Sequence, residues 1–154
     1  MEVKTSAVIE IERPREELFA RLGNSDELPN FIVSKGPIPG VKKAYVVGGG
    51  ELKKGAIRRL VMTDGVPLDE EFLEFEPPRK VHYRLRGFRG PLALIAKHCE
   101  GQWVFSPLGS GTRISWTFTA HLTSPLAAPA AIPVIKVFMK QAMEASLQTL
   151  KSRV

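Results

Sequence analysis

The sequence predicts an α+β fold in which a long C-terminal helix closes over one face of an antiparallel sheet. Two observations carry this. Apolar residues alternate with period two over 3–12 and in six further runs between 41 and 121, and the spacing changes to a helical i, i+3, i+4 pattern only over 134–151. Breaker clusters rich in Gly and Pro separate most of the runs. Strands in unbroken succession, with helices segregated towards the ends of the chain, point to a sheet covered on one side rather than to alternating βαβ units.

Along the chain, Val3, Thr5, Ala7, Ile9 and Ile11 share one face of the first strand. Pro14 suits a first helical position, Glu16 and Glu17 favour the electropositive helix start, Leu18, Phe19 and Leu22 line one side, and Gly23 ends the helix. A second short helix begins at Ser25 or Asp26, carries Leu28, Phe31 and Ile32, and stops at Gly36-Pro37-Ile38-Pro39-Gly40. Six strands are expected over 41–47, 54–63, 68–75, 81–86, 98–106 and 112–121. Asp64-Gly65, Pro77-Pro78 and residues 107–111 supply turns between them. Gly48-Gly49-Gly50 lacks the Gly-Lys-Ser/Thr ending of a phosphate loop and reads as a turn. The closing helix presents Ile135, Phe138, Met139, Ala142, Met143, Ser146, Leu147 and Leu150 on one side.

With 154 residues the chain is expected to form a single domain, residues 1–154. Its 44% hydrophobic and 25% charged residues exclude a disordered or fibrous class. The uncharged stretch 114–135 would reach across a bilayer by length, but its polar alternation and Pro125, Pro129 and Pro133 make it a strand running into a helix start. Cys99 stands alone, which excludes an intrachain disulfide and a cysteine-based zinc site. The opening residues lack the apolar run of a secretory signal, so the expected location is cytoplasmic. Charge is uneven: residues 1–78 hold 11 Lys+Arg against 14 Asp+Glu, whereas 79–154 hold 11 against 2. A basic half admits peripheral contact with anionic membranes. Nucleic acid is not an expected partner, because neither zinc-finger spacing nor an RNP-type aromatic signature is present.

Strand parity decides what faces the helix. Centring the hairpin near Gly65-Val66 pairs Leu60 with Glu70 and Arg58 with Phe72, and a loop over 77–80 pairs Phe72 with Leu85. The interior set is then Leu60, Met62, Phe72, Tyr83, Leu85, Trp103, Phe105, Ile114, Trp116 and Phe118, crossed by Phe138, Met139, Ala142 and Ser146. Arg58 and Glu70 fall on the same side, one diagonal step apart. An unpaired buried charge costs several kcal/mol, so the two must find each other or water. A tightly packed core does not ordinarily accept such a pair, which points to a cavity.

Gly55-Ala56-Ile57-Arg58-Arg59-Leu60, then Thr63-Asp64-Gly65, Glu70, Pro77-Pro78-Arg79 before Tyr83-Arg84-Leu85, and Gly101-Gln102-Trp103-Val104-Phe105 before Gly111-Thr112-Arg113-Ile114-Ser115-Trp116 follow in a recognisable order. That pattern resembles the polyketide cyclase/dehydrase and lipid-transport family of the START-like (SRPBCC) helix-grip superfamily. The resemblance implies a seven-stranded curved antiparallel sheet wrapped around the long C-terminal helix, with two short helices between strands one and two and a hydrophobic cavity inside. It places pocket side chains at Arg58, Leu60, Met62, Glu70, Tyr83, Trp116, Phe138, Ala142 and Ser146.

Members of such a superfamily share fold more than activity. The leading expectation is binding or transport of a small hydrophobic ligand, such as a lipid, isoprenoid or aromatic polyketide, without a cofactor. The alternative is a polyketide aromatase, cyclase or dehydratase in which Arg58 polarises a carbonyl and Glu70 or Tyr83 moves a proton. A third reading is an interaction module for membranes or a partner. No catalytic group is assigned beyond those candidates, since the sequence holds no nucleophile elbow. His82 and His121 fall on the outward parity, His98 begins a strand, and three scattered histidines do not predict a metal site.

Overall fold

The computed structural model describes residues 1–154, the side chain of Pro91 excepted. The order is β1 (Glu2–Ile11), α1 (Arg15–Gly23), α2 (Leu28–Phe31), β2 (Val41–Val46), β3 (Ile57–Met62), β4 (Pro67–Glu76), β5 (Lys80–Arg86), α3 (Pro91–Ile95), β6 (Ala96–Leu108), β7 (Gly111–Leu122), α4 (Ala128–Pro133) and α5 (Lys140–Arg153). The strands form one sheet in the order β1-β7-β6-β5-β4-β3-β2, antiparallel at every pairing. This is the helix-grip arrangement: the C-terminal helix and the two short helices after β1 cover the inner face of the sheet.

One element departs from the sequence expectation: the turn α3 lies between β5 and β6, where no helix was expected. The helix start expected after Pro125 is present as a proline-containing lead-in that runs on into the C-terminal helix. Pro125 and Pro129 sit in first turns, where a missing N–H costs little. Pro133 lies inside the helix, and a π-helical segment, Val134–Met139, begins directly after it. The wider π turn accommodates the proline without ending the helix. By length and composition this run would pass as a membrane span; its second half buries Ala142, Met143, Ser146, Leu147 and Leu150, whereas Leu126, Ile132 and Val137 in its first half are exposed.

The register differs from the expected one while the parity holds. Leu60 pairs with Leu68 and Arg58 with Glu70. The turn centres on Asp64, whose carboxylate accepts from the Val66 N–H at 3.0 Å, so every partner moves by two residues. Phe72 likewise faces Tyr83 rather than Leu85, and a bulge between Phe72 and Glu74 then brings Glu74 opposite His82. A two-residue shift leaves the inward set unchanged.

Buried apolar side chains form a continuous core. At one end Phe19 of α1 packs edge-on against Phe105 and Phe75, at 5.2 and 5.3 Å between ring centres. Towards the other end, between the middle strands, α2 and the C-terminal helix, the packing opens.

Candidate functional site

The opening is a cavity of about 150 Å³ between the inner face of β3–β7 and the C-terminal helix. Its wall is overwhelmingly apolar, and the polar groups on it are few: Arg58, Glu70, Tyr83, Cys99 and Ser146. Of the residues expected to line a pocket, Arg58, Leu60, Met62, Glu70, Tyr83, Leu85, Trp103, Trp116, Met139, Ala142 and Ser146 meet here.

Four expected residues do not line it. Phe72 is buried behind the wall, edge-on to Phe75 at 5.7 Å and under the Arg58 guanidinium at 5.3 Å. Phe105 and Ile114 face inward but sit at the packed end of the sheet, Phe105 beneath Phe19 of α1. Phe138 lies in the π segment, where the wider turn breaks the 3.6-residue spacing back from Ala142, and the residue is 39% exposed.

The sequence reading did not place Leu22, Leu28, Ile32, Val33, Ile38, Pro39, Phe88, Leu92 or Cys99 at the cavity. Cys99 was legible, since it shares the inward parity of Gly101 and Trp103 on β6. Leu22, Leu28 and Ile32 were legible as apolar positions of the two short helices but not as facing the cavity, and the rest lie in loops and the short turn α3, which carry no periodicity to read. Ile32, Val33, Ile38, Pro39, Phe88, Leu92, Val134 and Met139 are half-buried and mark the mouth, where the loop after α2, the α3 segment and the helix approach one another.

Arg58 and Glu70 stand directly opposite each other on β3 and β4, and the Arg58 Nε donates to Glu70 Oε1 at 2.7 Å. Their side chains are 1% and 6% exposed. Arg58 Nη1 also donates to the Leu22 carbonyl at 2.9 Å. That carbonyl belongs to the last turn of α1, where carbonyls lack helical partners and carry partial negative charge. These two bonds use two of the five guanidinium N–H groups, and those of Nη2 have no partner among the described residues.

Tyr83 crosses β6 at Gly101, its directly paired neighbour. A Cβ built on Gly101 would come within 2.1 Å of the Tyr83 ring, so the glycine is what lets the ring lie flat there. The Tyr83 hydroxyl accepts from Trp116 Nε1 at 3.1 Å, and Trp116 stacks on Trp103 at 4.4 Å. Burial, reinforced by the Glu70 charge, pushes the Tyr83 phenol well above its ordinary value. Tyr83 is therefore a proton donor, and among the described residues its own proton has no acceptor. Burial also pushes the Cys99 thiol up to about 12, which makes it an inert wall residue rather than a nucleophile. Ser146 accepts from the Val33 N–H at 3.2 Å and so ties the mouth loop to the helix.

Solved structures share this architecture at low identity. Ara h 8.0201 superposes with a TM-score of 0.74 at 13% identity, covering 99% of this chain and 97% of that one. The ginseng major latex-like protein 151 from Panax ginseng gives 0.69 at 12% identity, over 99% and 97%. The di-domain ARO/CYC protein BexL from the BE-7585A biosynthetic pathway gives 0.68 at 14% identity, over 98% of this chain and 49% of its own. No curated protein matches the sequence. The family model for polyketide cyclase/dehydrase and lipid transport matches residues 2–154, and the chain belongs to that family.

Proposed function

We propose that this member of the polyketide cyclase/dehydrase and lipid transport family binds and carries a small, mainly apolar ligand bearing one carbonyl or hydroxyl group. The apolar body occupies the chamber and the polar group reaches Arg58, Glu70 and Tyr83. One observation carries the reading: an apolar void has a buried ion pair set in its wall. Ordinary cores fill such a volume or exclude such a pair.

Size limits the ligand. An apolar cavity of about 150 Å³ engineered in another protein accommodates benzene, whereas drug-sized sites run to about 300–1,000 Å³. A single ring or short chain fits this volume, and a longer ligand must extend through the mouth or require its segments to part. Burying roughly 200 Å² of such a ligand gives about 5 kcal/mol, most of which the cost of association, about 4 kcal/mol or more, cancels. A charge-assisted hydrogen bond adds about 1.5–3 kcal/mol, so the polar wall sets the affinity. Acetophenone should therefore bind about 10–100-fold more tightly than ethylbenzene, read as a change in Trp103 and Trp116 fluorescence. Equal affinities, or no response to any ligand of this size, would remove the proposal.

A catalytic reading is favoured by one feature, the Tyr83 hydroxyl on the chamber wall, which accepts from Trp116 and has no described acceptor for its own proton, and the shared fold of the ARO/CYC protein BexL fits it. It predicts ketone turnover that drops about 100-fold in Tyr83→Phe. Binding without turnover favours the carrier. The basic second half gives a carrier a surface that anionic vesicles attract, tested by salt-sensitive co-sedimentation.

A further inference from the structure

The chain has three histidines, and the fold brings all of them to one carboxylate on the outer face of the sheet, away from the chamber. His98 on β6 pairs directly with His121 on β7, and their rings stack at 4.3 Å. Glu100, two residues along β6, contacts His121 Nε2 at 2.5 Å and His82 Nε2 of β5 at 3.3 Å. We propose that His98, Glu100 and His121 bind one divalent transition-metal ion of the zinc, copper or nickel class.

The donor atoms of these three residues all lie within 4.8 Å of one another. Tetrahedral coordination at ordinary zinc bond lengths places donors about 3.3 Å apart, so the two stacked rings must turn about their side-chain bonds to converge on an ion. Two imidazoles and one carboxylate form a nitrogen-rich set suited to these metals, while calcium and magnesium require more oxygen ligands. Three protein ligands leave the fourth position to water.

The surroundings orient the ligands. Glu2 of β1 faces His121 Nδ1 at 3.5 Å and Glu100 faces its Nε2, so an ion bound at Nε2 takes the place of the proton shared with Glu100. Glu74 faces His82 Nδ1 at 3.5 Å, and His82 in turn positions Glu100. Cys99 points to the other face of the sheet and is not a ligand. Arg84, directly opposite Glu100 on β5, opposes cation binding and limits the affinity.

The test is titration of the chelator-treated full chain with Zn²⁺ by calorimetry and with Co²⁺ by visible absorption. The expected result is one ion per chain, with His98→Gln, His121→Ala and Glu100→Gln each weakening binding at least about tenfold. His82→Ala should weaken it less than about threefold, and Arg84→Gln should tighten it. Far-UV circular dichroism checks that each variant folds. Independently of any substitution, Zn²⁺ should move the imidazole ¹⁵N resonances of His98 and His121 in the wild-type chain more than those of His82. Absence of binding, or affinity unchanged in both His98→Gln and His121→Ala, overturns the proposal, as does an imidazole response confined to His82.

Discussion

Replacing Glu70 by Leu should destabilise the protein by about 3–5 kcal/mol, because it leaves the Arg58 charge buried without its partner. Replacing both residues, as Arg58→Met with Glu70→Leu, should recover most of that loss. Exchange of a buried pair for apolar side chains is often neutral or stabilising by about 1–4 kcal/mol. Against this, the Leu22 carbonyl loses the Nη1 donor, at about 1–3 kcal/mol. The two contributions nearly cancel, and the double variant should lie within about 2 kcal/mol of wild type. Urea denaturation followed by tryptophan fluorescence measures all three proteins. The folded double variant should still bind ethylbenzene but lose its preference for acetophenone. A Glu70→Leu cost below about 1 kcal/mol would show that water reaches the pair, and a double variant as unstable as the single one would show that shape, not charge, decides; either refutes the reasoning.

Gly101→Ala should cost about 2 kcal/mol or more, because the new methyl forces Tyr83 off β6 and breaks its bond with Trp116; near-UV circular dichroism and urea denaturation read this. Ser146→Ala leaves the Val33 N–H without its acceptor, so about 1–3 kcal/mol of stability should be lost and ligand exchange, followed by stopped-flow fluorescence, should quicken at the mouth. His98 has a folded pKa below its unfolded value, so the unfolded chain takes up the proton first as pH falls through about 6.5. Wild type should therefore lose more of its urea midpoint between pH 7.5 and 5.5 than His98→Gln, and equal losses would count against the lowered value.

The sequence carries the strands, their parity and the closing helix because period two and period 3.6 are visible in the residues themselves. Parity was enough to bring Arg58, Glu70, Tyr83, Trp103 and Trp116 to one wall, even though the register was off by two. Register depended on a single side chain, Asp64, capping its own turn. The mouth was not legible, since Val33, Pro39, Phe88 and Leu92 lie in segments that no periodicity organises. Phe138 was misplaced for the opposite reason: helical spacing was read through a segment where Pro133 and the π turn interrupt it.

Bulges decide which polar groups meet on the outer face. On a regular strand, residues two apart point the same way, yet Ala96 is buried against the core while His98 faces outward. The irregularity between them, at Lys97, reverses the parity and sets His98 opposite His121. The bulge between Phe72 and Glu74 has the same effect on β4: Phe72 stays inside and Glu74 turns out to face His82. Strict alternation would have sent Glu74 inward beside Phe72, where a carboxylate has no compensating partner, and turned Phe75 out of the core. A single extra residue in each of two strands thus keeps Glu74 and His98 off the inner face and gathers them with Glu100 on the opposite side. Such insertions follow from pairing across the sheet rather than from any local residue pattern, which is why three histidines that look scattered along the chain become neighbours in space.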